Sequence, residues 1–137
     1  MNGKAFFDTN VLLYMYGGDA QKRRVALDLF REYADAGRLL LSTQVVQEFY
    51  AAGSRNVGIP RQELREAAGA LLDCPLVMVT AEHIRSAMEI EGRSDVSFWD
   101  ALILAAAAAA GAAILFSEDL NDGQQYGPVT VRNPFRA

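Results

Sequence analysis

Four acidic residues, Asp8, Glu48, Asp100 and Asp119, are spaced along the chain beside apolar runs or helix-capping positions. Hard divalent cations prefer carboxylate and water oxygens, so acids brought to one rim would form a site for Mg²⁺ or Mn²⁺. Without a cation such a cluster is costly, because neighbouring like charges repel. One chemistry open to such a site is phosphodiester hydrolysis with no covalent intermediate, in which a bound ion would acidify water and offset charge on the phosphate. Attack by that water leaves a 5′-phosphate and a 3′-hydroxyl. It needs no 2′-hydroxyl, so the chemistry alone does not select RNA over DNA.

Composition closes off the main rivals. The chain has 137 residues, with one histidine and one cysteine. It therefore cannot build a structural zinc site of Cys and His ligands, nor a ribonuclease in which two histidines exchange acid and base roles. Nothing near His83 in sequence supports a serine or cysteine nucleophile. Cys74 cannot form an internal disulfide, which suits a reducing compartment. Hydrophobic residues make up 51% of the chain, enough for one folded domain spanning 1–137. No apolar run reads as a membrane span or a secretion signal, so the expected location is cytoplasmic. Net charge is −4, an unpromising sign for a polyanionic substrate. Setting the four acids aside leaves thirteen Asp and Glu against thirteen Lys and Arg. A cation-filled site would thus neutralise the excess, which permits nucleic acid without demanding it.

The acids need a frame. Lys4 to Phe7 reads as a buried strand ending at Asp8. A short helical turn follows at Asn10 to Tyr16, then a helix from about Ala20 to Ala36 capped by Asp19 and ended by Gly37. Arg38 to Leu41 is a second strand, and Ser42 or Thr43 caps the helix carrying Glu48. Pro60 starts another helix, reaching about Asp73. Pro75 to Val79 is a third strand, followed by a helix from Thr80 to roughly Glu91. Ser97 caps an alanine-rich helix that Gly111 terminates. Ala112 to Phe116 is a fourth strand. A polar loop, Ser117 to Gly127, leads to a short last strand at Val129 to Val131. Alternating strands and helices predict a parallel sheet covered on both faces. Ligands of such sheets bind beyond the strands' carboxyl ends, near a switch in strand order. All four acids reach one rim if their strands are central.

Each acid also has a plainer role open to it. Asp8 can cap the next helix, and Asp100 can be the acidic half of a capping box with Ser97. Glu48 can be solvated on a helix face. Asp119 and Asp122 can be turn residues. Shared placement at strand ends is what favours function.

The order and context of these residues resemble the PIN-domain nucleases over nearly the whole chain. The marks are Asp8-Thr9-Asn10 after the first strand, Gln47-Glu48-Phe49, Phe98-Trp99-Asp100-Ala101 and Ser117-Glu118-Asp119-Leu120. Length and element order resemble the VapC-type toxins of toxin–antitoxin pairs. The resemblance implies a three-layer α/β/α fold with a mostly parallel, about five-stranded sheet. It also implies a Mg²⁺ or Mn²⁺ site, cleavage of single-stranded RNA, homodimerisation and a cognate antitoxin. By position, Asp8, Glu48, Asp100 and Asp119 match the family's acidic quartet, catalytic and metal-binding. Thr9, Asn10 and Ser117 match its supporting polar residues, and Asp122 stands where many relatives carry a further acid.

Other residues read more simply. Trp99 is expected in the core or an interface, and His83 on a helix face. The alanines from Ala105 to Ala110 permit close packing of a helix on the sheet. Lys22, Arg23 and Arg24 form a solvated face or a guide for phosphates. Two rival functions remain. A phosphoaspartate enzyme would want a lysine after a late strand, and only Lys4 and Lys22 exist. A non-catalytic PIN-like RNA-binding or protein-interaction module would be marked by missing acids, and all four are present.

Overall fold

The computed structural model describes residues 3–136. Strands β1 (Lys4–Phe7), β2 (Leu39–Ser42), β3 (Leu76–Val77), β4 (Ala112–Phe116), β5 (Gln125–Tyr126) and β6 (Val129–Arg132) form a single sheet. Its order is β3-β2-β1-β4-β6-β5. Every pairing is parallel except β5 with β6. The chain steps outward from β1 through β2 to β3, then returns to the other side of β1 with β4. That reversal places the switch in strand order between β1 and β4, at the centre of the sheet.

Helices α1 (Thr9–Tyr14), α2 (Ala20–Asp35), α3 (Thr43–Ala52), α4 (Arg61–Leu72), α5 (Ala81–Arg93) and α6 (Phe98–Ala109) complete an α/β/α sandwich. Their starts follow local chemistry. Asp19 accepts from Lys22 N, Ser42 from Val45 N, Thr80 from His83 N and Ser97 from Asp100 N, each satisfying an otherwise unpaired first-turn donor. Phe6, Phe7, Leu41 and Leu115 are fully buried in the sheet, as expected of strands covered on both faces. Helix α6 is apolar nearly all round because it packs twice. Ile103, Leu104, Ala106 and Ala107 enter the main core, whereas Ala101, Leu102 and Ala105 meet Ala87 of α5. Among the described residues no helix is long and apolar enough to cross a membrane.

Three local features depart from expectation. The sheet has six strands rather than about five, because Gln125–Tyr126 turns back along β6. Gly127, with φ 58, supplies the positive φ of that two-residue turn. Strand β3 is only two residues long. Its partner β2 ends at Ser42, which already caps α3, and Val79 N bonds Thr43 Oγ1 at 3.3 Å instead of a strand. A π-helical turn, Gly53–Val57, prolongs α3. A Cβ on Gly53 would stand 2.5 Å from Leu64 Cδ1, so glycine is what lets α3 and α4 close together here.

Candidate active site

Strand β1 delivers Asp8 to the central switch point, and its main-chain N–H bonds Phe116 O of β4 at 3.0 Å. Asp8 is the N-cap of α1, so its plainer role is real: Oδ1 accepts from Thr9 N at 2.7 Å. Capping does not account for Oδ2. That oxygen accepts from Ser117 Oγ at 2.8 Å and from Asn10 Nδ2 at 3.4 Å. Asn10 Nδ2 also reaches Asp119 Oδ2 at 3.0 Å, and Asn10 Oδ1 holds Glu118 N at 3.1 Å. Ser117 Oγ accepts from Asp119 N at 3.2 Å while donating to Asp8. Asn10 and Ser117 thus fasten the loop after β4 onto the end of β1.

On the other side, Thr9 Oγ1 lies 3.0 Å from Glu48 Oε1 and 3.4 Å from Val45 O. A hydroxyl has one proton to give, and the shorter contact to the carboxylate is the better acceptor. Asp100, in the first turn of α6, gives its N–H to Ser97 Oγ at 3.1 Å. No return bond from its carboxylate to Ser97 N is present among the described residues, so that carboxylate is not spent on a capping box.

Burial pushes the Asp8 carboxyl up to about 7 from an ordinary 3.8, opposed by the Ser117 and Thr9 hydrogen bonds and reinforced by the charges of Asp100 and Asp119. Burial also raises Asp100, opposed by the Ser97 hydroxyl and reinforced by the charges of Asp119 and Glu48. Tyr126 is raised by burial and then by Asp100 and Asp95, which brings the loop's end into the field of the acids. Asp8 therefore feels the charges of Asp100 and Asp119, and Asp100 those of Asp119 and Glu48.

Among the described residues no group of three or more His, Cys, Asp or Glu side chains is placed to hold a metal ion. A Mg²⁺-type ion does not need such a group, since it keeps several waters and takes one or two carboxylates. An all-oxygen donor set of mutually repelling acids, one of them buried and raised, fits such a hydrated cation.

A family model described as PIN domain matches residues 5–121. The chain belongs to the PIN-domain family. The matched span of this PIN domain holds all four acids and stops just short of Asp122. The fold is similar to VapC20 of Mycobacterium tuberculosis, a sarcin–ricin-loop-cleaving toxin. That match has 24% identity and a TM-score of 0.71, over 85% of this chain and 90% of that one. It is also similar to a chain of a toxin–antitoxin complex from Klebsiella pneumoniae. There the identity is 18% and the TM-score 0.74, over 98% of this chain and 100% of that one. No curated protein matches the sequence.

Several side chains of the PIN domain behave otherwise than their sequence positions suggest. Lys22 is not a free cation: it ion-pairs with Glu118, whose other oxygen accepts from Tyr14 at 2.8 Å. Its ammonium also lies over the rings of Tyr14 and Phe135. Trp99 is 61% exposed, so it is not core; it sits at the outer start of α6, edge-on to Phe98. Asp122 accepts from Asn133 N at 2.8 Å and lies 3.9 Å from Arg136, which ties it to the C-terminal segment. His83 does lie on a helix, as expected, in the first turn of α5, where it closes a capping box with Thr80. Gln44 carries no motif of its own in the sequence beyond standing one helical turn before Glu48 on the same face, and its Nε2 bonds Glu48 Oε2 at 3.0 Å.

Proposed function

We propose that this PIN domain is a Mg²⁺- or Mn²⁺-dependent endoribonuclease acting on single-stranded RNA, and the toxin of a toxin–antitoxin pair. The observation that carries the reading is Asp8. It is a carboxylate 4% exposed at the sheet's switch point, with Ser117 and Asn10 orienting one oxygen and two further acids raising its proton affinity. A side chain so placed is unfavourable for stability and suited to holding a cation. When bound, the ion supplies Lewis acidity for water and for the phosphate. The chain's own part is to orient. Asp8 and Asp100 would be the first to hold the ion, then Asp119, then Glu48, and any acid left free would be placed to accept a proton from water.

Access for a strand is supported by two cavities that share Gly17 and Gly18. One, of about 200 Å³, is bordered by Asn10 and Glu118 beside the acids. The other, of about 390 Å³, is lined by Arg23, Arg24 and Arg31. Phosphates flanking the scissile bond would meet those guanidiniums, so the guiding role passes from Lys22 to its neighbours. RNA as substrate and an antitoxin partner are the readings supported by the family and by the two toxin-system folds. An antitoxin would present Arg or Lys to the carboxylates, replacing cation charge with side-chain charge. Exposed Met78 and Met88 offer apolar surface to the second copy that the VapC resemblance implies.

The test is incubation of purified protein with matched single- and double-stranded RNA in Mg²⁺ or Mn²⁺. Cleavage of the single strand to 5′-phosphate ends is expected. Intact RNA under all metal conditions would remove the enzymatic reading. Expression should also arrest growth, with relief by an adjacent gene; an active but harmless nuclease points to RNA processing instead.

A further inference from the structure

Gln44 is 5% exposed on α3. Its Nε2 donates at 3.0 Å to Glu48 Oε2 and at 3.0 Å to the main-chain oxygen of Trp99. Both partners are acceptors, so the amide has only one workable orientation, nitrogen toward them. The other end of the amide, Oε1, is then buried with no hydrogen-bond partner. Packing alone gives no reason for that arrangement. An apolar side chain of equal reach would fill the space without burying an unpaired oxygen.

What the amide does accomplish is a link between site segments. Trp99 immediately precedes Asp100, so its carbonyl reports the position of the first turn of α6. Glu48 Oε1 is held by Thr9, next to Asp8. The chain of contacts therefore runs from Asp8 through Thr9, Glu48 and Gln44 to the turn that carries Asp100. Only Gln44 spans the gap between the helix bearing Glu48 and the turn bearing Asp100 in that chain.

We propose that Gln44 is a positioning residue whose amide nitrogen sets the orientation of the Glu48 carboxylate and its spacing from Asp100. The proposal rests on the nuclease reading, in which those two acids serve the cation. Loss of a residue that orients a metal ligand typically weakens metal affinity or activity by about 10- to 100-fold. A residue that merely joined α3 to α6 would change stability and leave the cation response alone.

Gln44→Met keeps length and volume while deleting both donors and the orphaned acceptor. Its metal-free melting temperature should equal or exceed the parent's. Mn²⁺ affinity, measured by calorimetry without RNA, should fall about 10-fold, and kcat should fall similarly with KM for RNA nearly unchanged. Parent-like Mn²⁺ affinity and kcat would overturn the proposal. Glu48→Gln and the double variant complete a cycle. If Gln44 acts through Glu48, the double variant binds Mn²⁺ no more weakly than Glu48→Gln alone; two losses that multiply would overturn it. A parent-like Glu48→Gln is a different failure, removing Glu48 from the cation site and the proposal with it. Should Gln44→Met fail to fold, Gln44→Leu replaces it in the same Mn²⁺ titration, with the same expected and overturning results. The Gln44 side-chain amide protons should exchange at least ~10-fold more slowly than those of exposed Gln21, and equal rates would show that the clamp is absent.

Discussion

Ser117 donates its hydroxyl to Asp8 Oδ2 at 2.8 Å, joining residues 109 apart in sequence across the seam between β1 and β4. Ser117 Oγ in turn accepts from Asp119 N, so one hydroxyl fixes two acids at once. Ser117→Ala should raise the Asp8 carboxyl further, since the bond it removes favours the charged form. The acidic limb of the pH–rate profile should move to higher pH, with kcat reduced by about 10-fold at neutral pH. An unmoved limb would detach Ser117 from the chemistry.

A raised carboxyl has a definite signature in stability. Between its ordinary value of 3.8 and the folded value of about 7, Asp8 binds more protons folded than unfolded. Metal-free stability should therefore fall as pH rises through that window and level off above it. Asp8→Asn should flatten this slope and stabilise the metal-free protein near neutral pH by roughly 1 kcal/mol or more. Thermal melts across a pH series, without metal, measure both. A steep slope that survives the substitution would assign it to other groups.

Cation binding and proton release should be coupled by the same carboxyl. Below about 7, Mg²⁺ must displace the proton on Asp8, so apparent affinity should rise with pH and then flatten. Calorimetry in two buffers of different ionisation enthalpy counts the protons. Binding heats that do not depend on the buffer would rule out a protonated Asp8 in the free site.

Much of this was legible in the chain. Asp19, Ser42, Thr80 and Ser97 mark their helices because a short polar side chain beside an apolar run meets the first unpaired N–H groups. Asp8 could be placed at a strand end for the same local reason, and Asp119 just past the end of an apolar run. What sequence spacing does not encode is who faces whom. Lys22 reads as a free cation until Glu118, 96 residues later, is folded against it. Trp99 reads as core or interface because tryptophan is apolar, and its exposed place at the outer start of α6 removes the core alternative. The π-turn at Gly53–Val57 and the two-residue β5 are tertiary accommodations, too short for a periodic signal.

The arginine-lined cavity predicts a separable effect on substrate binding. Arg23→Glu with Arg24→Glu should raise KM for RNA by at least ~10-fold and reduce the salt dependence of binding, while metal affinity stays as in the parent. Filter binding across a salt series, with a chelator present to prevent turnover, checks it. Unchanged salt dependence would place the strand elsewhere.

The central claim is that a cation held by these acids cleaves RNA, and one measurement addresses it most directly. A single-stranded RNA is incubated with the parent and with Asp100→Asn, each in Mg²⁺ and in excess chelator. The parent should cleave only with the ion. Asp100→Asn should stay folded and lose at least ~100-fold in rate, because a neutral amide is a poorer ligand for a hard cation. Parent cleavage undiminished by chelator, or an Asp100→Asn rate equal to the parent's in Mg²⁺, would contradict the account.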